Sequence, residues 1–211
     1  MRLALVVVVA CSAAAPQAAR ADDGVYVTES FGVGTGRGAL ADPLGHVIHA
    51  RLAAGMRLRF LAIEPWMLAE LQDEREGGLR GFVGGDPVAG RADLDAYGVD
   101  ARVIAPLAST RTSRLEAYVR GGPFIASGTG ALAGYHGRGA GVAGGLQITG
   151  RVRALGFLWA PLLFLKRGPM ATGAIYLDQG YDFYELQMDG APPIRARVGH
   201  VSFGFAIGSS F

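Results

Sequence analysis

The final eleven residues, Val201 to Phe211 (VSFGFAIGSSF), constrain the fold more than any other stretch, because two kinds of side chain alternate along them. One parity carries Val201, Phe203, Phe205, Ile207, Ser209 and Phe211, mostly large and apolar, and the other carries Ser202, Gly204, Ala206, Gly208 and Ser210, all tiny. A period of two is the signature of a β-strand, and a strand half-buried in a soluble sheet sets its apolar face against charged or long polar residues. Here the second face is made of residues that fit the crowded inside of a small closed barrel. An ordinary strand of a soluble sandwich shares the period and remains the competing reading of this stretch alone.

The opening of the chain, MRLALVVVVA, has a basic residue, Arg2, ahead of an apolar run from Leu3 to Ala10. Ala19-Arg20-Ala21 then supplies an A-x-A-like cleavage site before Asp22. The run is too short to span a bilayer and is followed by Pro16, so residues 1–21 read as a secretory signal peptide and 22–211 as one mature domain. Val8-Val9-Ala10-Cys11 offers a competing lipobox that would place a lipid on Cys11. Cleavage after Ala21 discards the only cysteine, which removes disulfides, thiolate metal sites and a cysteine nucleophile from consideration.

Loss of Arg2 and Arg20 lowers the basic count from 20 to 18, equal to the 18 acids, so the mature chain is formally neutral and nucleic acid is not an expected partner. Half the residues are hydrophobic, yet no mature segment has the roughly 18 consecutive apolar residues of a spanning helix. In lipid every backbone polar group must find a partner within the protein, and without helices a closed barrel is the remaining spanning solution.

Eight alternating segments separated by turn signals can be traced. They run over Gly24 to Val33, His46 to Leu58, Phe60 to Leu71, Asp93 to Leu107, Arg114 to Ala126, Gly139 to Gly150, Ala171 to Leu186 and Arg195 to Phe211. The connections after the first, third, fifth and seventh are long, polar or rich in glycine, and those after the second and fourth are short. Long loops outside and short turns in the periplasm are the pattern of a transmembrane antiparallel up-and-down β-barrel. Arg151 to Met170 does not fit, being long and apolar where a short turn is expected; it extends the flanking strands, lies at the membrane interface, or adds a hairpin that makes ten strands. Glu29 is a second misfit, since strict alternation from Val25, Val27 and Phe31 points it at lipid unless a bulge or phase change intervenes near Ser30.

With the apolar parity facing lipid, the interior inherits Arg51, Arg57, Glu64, Asp100, Arg102, Glu116, Arg120, Asp178 and Asp182. Charges in so narrow a lumen must pair across strands, because an unpaired buried charge costs several kcal/mol. A salt-bridged plug is preferred over a conducting path, since barrels of about eight strands have interiors just wide enough for side chains to fill. Tyr181, Phe183, Tyr184, Trp66 and Trp159 are candidates for interfacial aromatic girdles or for core packing.

His46, His49 and His136 have no spacing that makes a zinc site, so no metal or other cofactor is expected. The glycines of Phe31 to Gly38 lack the Lys-Ser/Thr ending and following helix of a phosphate loop. His200 and Ser202, at i and i+2, share one face of the last strand as base and nucleophile would, and their spacing resembles the His-x-Ser of outer-membrane lipid A deacylases. No acidic residue follows Ser202 to orient the imidazole, so a satisfied interior histidine is the preferred reading and no catalytic residue is assigned.

The mature chain as a whole resembles the small bacterial outer-membrane β-barrel proteins of the outer-membrane-protein-A-like and porin-family barrel-domain type. The resemblance rests on the signal peptide, the strand spacing, the loop lengths and the terminal Phe211. It implies a monomer in outer-membrane lipid, inserted by the barrel assembly machinery through a signal in Phe203, Phe205, Ile207 and Phe211, with a structural, adhesive or surface-interaction role. Two other classes compete. One is a lipid A-modifying barrel hydrolase using His200 and Ser202. The other is a secreted lipocalin-like barrel with the apolar parity turned inward, against which stands a surface that would carry a single lysine, Lys166.

Overall fold

Eight alternating segments close on themselves in the computed structural model, which describes residues 24–38, 46–72, 92–130, 132–151 and 172–208. The strands are β1 (Gly24–Gly38), β2 (His46–Leu58), β3 (Leu61–Gln72), β4 (Ala92–Ser109), β5 (Ser113–Gly130), β6 (His136–Arg151), β7 (Thr172–Gln187) and β8 (Ile194–Gly208). Each pairs antiparallel with its sequence neighbours, and β1 also pairs with β8, from Tyr26 opposite Gly208 to Gly38 opposite Ala196. Closure leaves no free sheet edge, the condition for a β structure whose backbone is to sit in lipid. The ten-stranded alternative is overturned, because β1 and β8 occupy each other's edges. Of Arg151 to Met170 only Arg151 is described, and Phe211 also lies outside the described residues.

At one end of the barrel two connections are short, and the third, between β6 and β7, lies outside the described residues. Arg59 and Phe60 join β2 to β3, with Arg59 at a φ of 58°, and Thr110 to Thr112 join β4 to β5. The Thr110 hydroxyl accepts from the backbone N–H groups of Thr112 and Ser113, which closes the second turn locally. The connections between β1 and β2, β3 and β4, β5 and β6, and β7 and β8 lie at the opposite, long-loop end.

Alternation sorts the side chains onto two walls. On β7 the buried set is Ala174, Tyr176, Asp178, Gly180, Asp182, Tyr184 and Leu186, while Ile175, Leu177, Tyr181 and Phe183 are exposed. The same holds around the barrel, where exposed Val27, Leu52, Met67, Val99, Ile125, Leu146 and Phe203 make an apolar outer band. This outward placement of the large apolar parity overturns the lipocalin-like inversion, which needs the same residues inside. Glu29 belongs to the outer band. Its register runs unbroken, opposite Leu52 on one side and Phe205 on the other, so no bulge near Ser30 rescues it. Among the described residues the one irregularity of register lies elsewhere, between Pro106 and Ala108 on β4.

The interior is layered. Tyr26, Ile104, Tyr118 and Tyr176 cluster toward the short-turn end, while Val47, Leu94, Leu132, Leu186 and Val198 pack at the long-loop end. Small residues make room for the large ones. A Cβ on Gly55 would meet the Tyr26 ring, and one on Gly204 would meet the ring of Tyr176. The charged part of the lumen starts at the short turns, threads among these tyrosines and reaches the long-loop layer.

Candidate functional site: the charged lumen

All nine charged residues singled out above point inward and are buried, none of them more than 7% exposed. The network begins near the short turns. Arg57 donates from Nη1 and Nη2 to the two oxygens of Glu116, at 3.1 and 2.9 Å, and from Nε to the carbonyl of Arg59 at 2.7 Å. Gln147 bridges upward, donating to Glu116 and accepting from Arg102 Nη2 at 2.6 Å.

Arg102 lies 3.6 Å from the ring centre of Tyr118 and donates to Glu64 Oε1 at 2.8 Å, an oxygen that also accepts from the Tyr26 hydroxyl at 2.6 Å. Above it, Asp100 accepts from Arg51, Arg120 and the Trp66 indole at 2.9 to 3.0 Å. Asp178 accepts from Arg120 Nε at 3.2 Å and from the Tyr118 hydroxyl at 3.0 Å. These contacts join β1 to β7 across the barrel axis through charge-assisted bonds, which are roughly twice as strong as neutral ones.

Solved structures with this architecture include Neisserial surface protein A, which is 15% identical and aligns over 87% of this chain and 96% of that one with a TM-score of 0.51. The fold is that of a small outer-membrane β-barrel. At that identity the likeness is one of fold alone. Ail, the attachment invasion locus protein of Yersinia pestis, solved with the heparin analogue sucrose octasulfate, aligns at 10% identity over 88% of this chain and 97% of that one with a TM-score of 0.39. No protein-family profile and no curated protein sequence matches the chain.

Nearer the long loops, four further buried side chains come together. His49 (β2) and Glu70 (β3) are direct cross-strand partners, and Asp182 (β7) and His200 (β8) lie diagonally on the pair beyond β1. His49 Nδ1 is 3.6 Å from Glu70 Oε1, and His200 Nδ1 is 3.3 Å from Asp182 Oδ2. The two imidazole rings stack, with centroids 4.4 Å apart and planes 20° from parallel. None of the four ring nitrogens makes a hydrogen bond to a described residue. The reading of His200 as a satisfied interior histidine is therefore corrected: its neighbours are close but not bonded. A donor atom from each of the four side chains falls within 4.8 Å of the others.

His49 and Glu70 were legible as inward-facing, from the parity they share with Arg51 and Glu64. Their meeting with His200 was not, because it depends on how far the strands are sheared past one another. Trp66 and Tyr184 leave the proposed girdles, since both are buried inside, bonded to Asp100 and Glu70 respectively. Tyr181 and Phe183 stay on the outer face, and Trp159 lies outside the described residues. His46 and His136 are exposed. The Oγ of Ser202 is buried and makes no hydrogen bond to His200 or to any other described residue, so the nucleophile-and-base contact is not formed.

Proposed function

We propose that this chain is an integral outer-membrane β-barrel with a structural or surface-interaction role, exported by its signal peptide and inserted as a monomer by the barrel assembly machinery. The observation that carries the reading is the pairing of an apolar outer wall with an ion-paired inner one on a barrel without edges. In water that outer wall would be a contiguous apolar surface far larger than soluble monomers tolerate. In lipid it is the required surface.

The closing strand fits the assembly role, with Phe203, Phe205 and Ile207 on the outer parity and Phe211 completing the same parity in the sequence. Surface interaction would fall to the long loops. The charged lumen serves as a plug that ties the strands together. No catalytic role is assigned, because Ser202 is sealed in the wall and unactivated.

The test is the gel mobility of protein taken from a purified outer-membrane fraction, run in detergent with and without boiling. A membrane-bound band that shifts on boiling is expected. A soluble protein with unchanged mobility overturns the reading.

A further inference from the structure

The charge content of the lumen does not balance, and the imbalance is local. Four guanidinium groups, from Arg51, Arg57, Arg102 and Arg120, face six buried carboxylates among the described residues. Glu64, Asp100, Glu116 and Asp178 are each engaged by at least one of those arginines. Glu70 and Asp182 are the remainder, and the basic groups beside them are His49 and His200.

We propose that His49, Glu70, Asp182 and His200 form an intraluminal binding site for one divalent transition-metal cation of the zinc class. Stabilising two buried carboxylates by protonating both histidines would set two positive rings 4.4 Å apart, and like charges that close in a dry interior repel strongly. A single divalent ion supplies the same charge without that repulsion.

Within each His–carboxylate pair the separation is that between two ligands of one ion, while the stacked rings must tilt to aim both nitrogens at it. The nitrogen-to-oxygen separations of 3.6 and 3.3 Å go with unbonded ring nitrogens. Two ligands on one tetrahedral ion, with bonds of about 2.0–2.1 Å, stand roughly 3.4 Å apart. The remaining separations, up to 4.8 Å, need side-chain movements of about an ångström to close onto an ion.

Glu70 is already divided between two tasks. Its Oε2 accepts from the Tyr184 hydroxyl at 3.0 Å, while Oε1 has no hydrogen bond from a described residue and lies on the His49 side. Orientation of a ligating carboxylate by a second hydrogen bond is the usual support of a metal ligand. A cavity of about 10 Å³ adjoins His49, Asp182 and His200, about the space of a single water-sized sphere. Arg51 and Arg120 also border it, but both are tied to Asp100. Two imidazoles with two carboxylates and no thiolate suit zinc and its neighbours, whereas calcium takes six to eight oxygens and magnesium keeps much of its water.

The test uses untagged, folded protein in detergent, stripped with chelator and then titrated with Zn(II) by calorimetry and with Co(II) by visible absorption. One ion per chain is expected, with Zn(II) displacing Co(II). His49→Asn, His200→Asn, Glu70→Gln and Asp182→Asn should each weaken binding at least tenfold, while His46→Asn, at an exposed position, should leave it unchanged. Folding of each variant is checked by the boiling shift. X-ray absorption of the zinc-loaded wild type reads the site without any variant, and two imidazole ligands are expected. Failure of the wild type to bind, an oxygen-only first shell, or undiminished binding in a folded His49→Asn/His200→Asn variant would each overturn the proposal. A soluble, unshifted protein that still binds one ion through two histidines would leave the site standing while removing the outer-membrane reading.

Discussion

Glu116 shows how far each lumen charge depends on its partners. Its two oxygens are met by both terminal nitrogens of Arg57 and by Gln147, and it is only 1% exposed. Breaking a buried pair by removing one member costs about 3–5 kcal/mol, because the survivor is left charged and unsolvated, whereas replacing both members by apolar residues is often close to neutral. Arg57→Met is therefore expected to destabilise the barrel by about that amount in urea unfolding from lipid vesicles. Arg57→Met/Glu116→Leu should recover most of the loss. A double variant as unstable as the single one would mean that Arg57 acts through its bond to the Arg59 carbonyl and not through Glu116.

At the scale of one strand, β1 is both the best-read element and the one with a flaw. Val25, Val27, Phe31 and Val33 on its outer face announced a strand by their alternation, and the strand is there. Its continuation through Gly34–Gly38 was not legible, since that run holds three glycines and carries no hydrophobic period; backbone pairing with β8 extends it regardless. Strict alternation pointed Glu29 at lipid unless a bulge or phase change intervened near Ser30, and the ladder on both sides fixes its outward parity. A charge on the lipid face costs up to ~2–4 kcal/mol for a basic residue at mid-depth, and less for an acid. Glu29→Leu is therefore expected to raise stability in vesicles by about 1–2 kcal/mol. No gain, or a loss of solubility without detergent in an otherwise water-soluble protein, would place this face in water.

For the molecule as a whole, parity told which residues face inward, and Arg51, Glu64, Asp100 and Arg120 were legible for that reason. Parity does not carry shear, so the sequence could not say which inward residues meet. His49 and His200 stand on strands that flank β1, far apart in the chain, and their stacking follows only from closure. The same packing decides conduction. Among the described residues, ion-paired side chains crowd the charged region around a cavity of about 10 Å³, and a more open cavity of about 390 Å³ borders His200, Val47 and Gly180 toward the long loops. Protein reconstituted in planar bilayers is expected to give no conductance steps. Steady channel openings would contradict a plugged lumen.

The seam between the first and last strands also decides when the four-residue cluster of His49, Glu70, Asp182 and His200 can form. Glu70 and His49 belong to strands made early, Asp182 and His200 to the last two, and β1 separates the pairs. Until β8 reaches β1, the four groups cannot gather, because the two pairs stand on opposite sides of that seam. Their meeting depends on one contact, the joining of the first strand to the last, and not on any single hairpin. The seam that closes the barrel is therefore also the seam that assembles this cluster, from strands at the two ends of the chain.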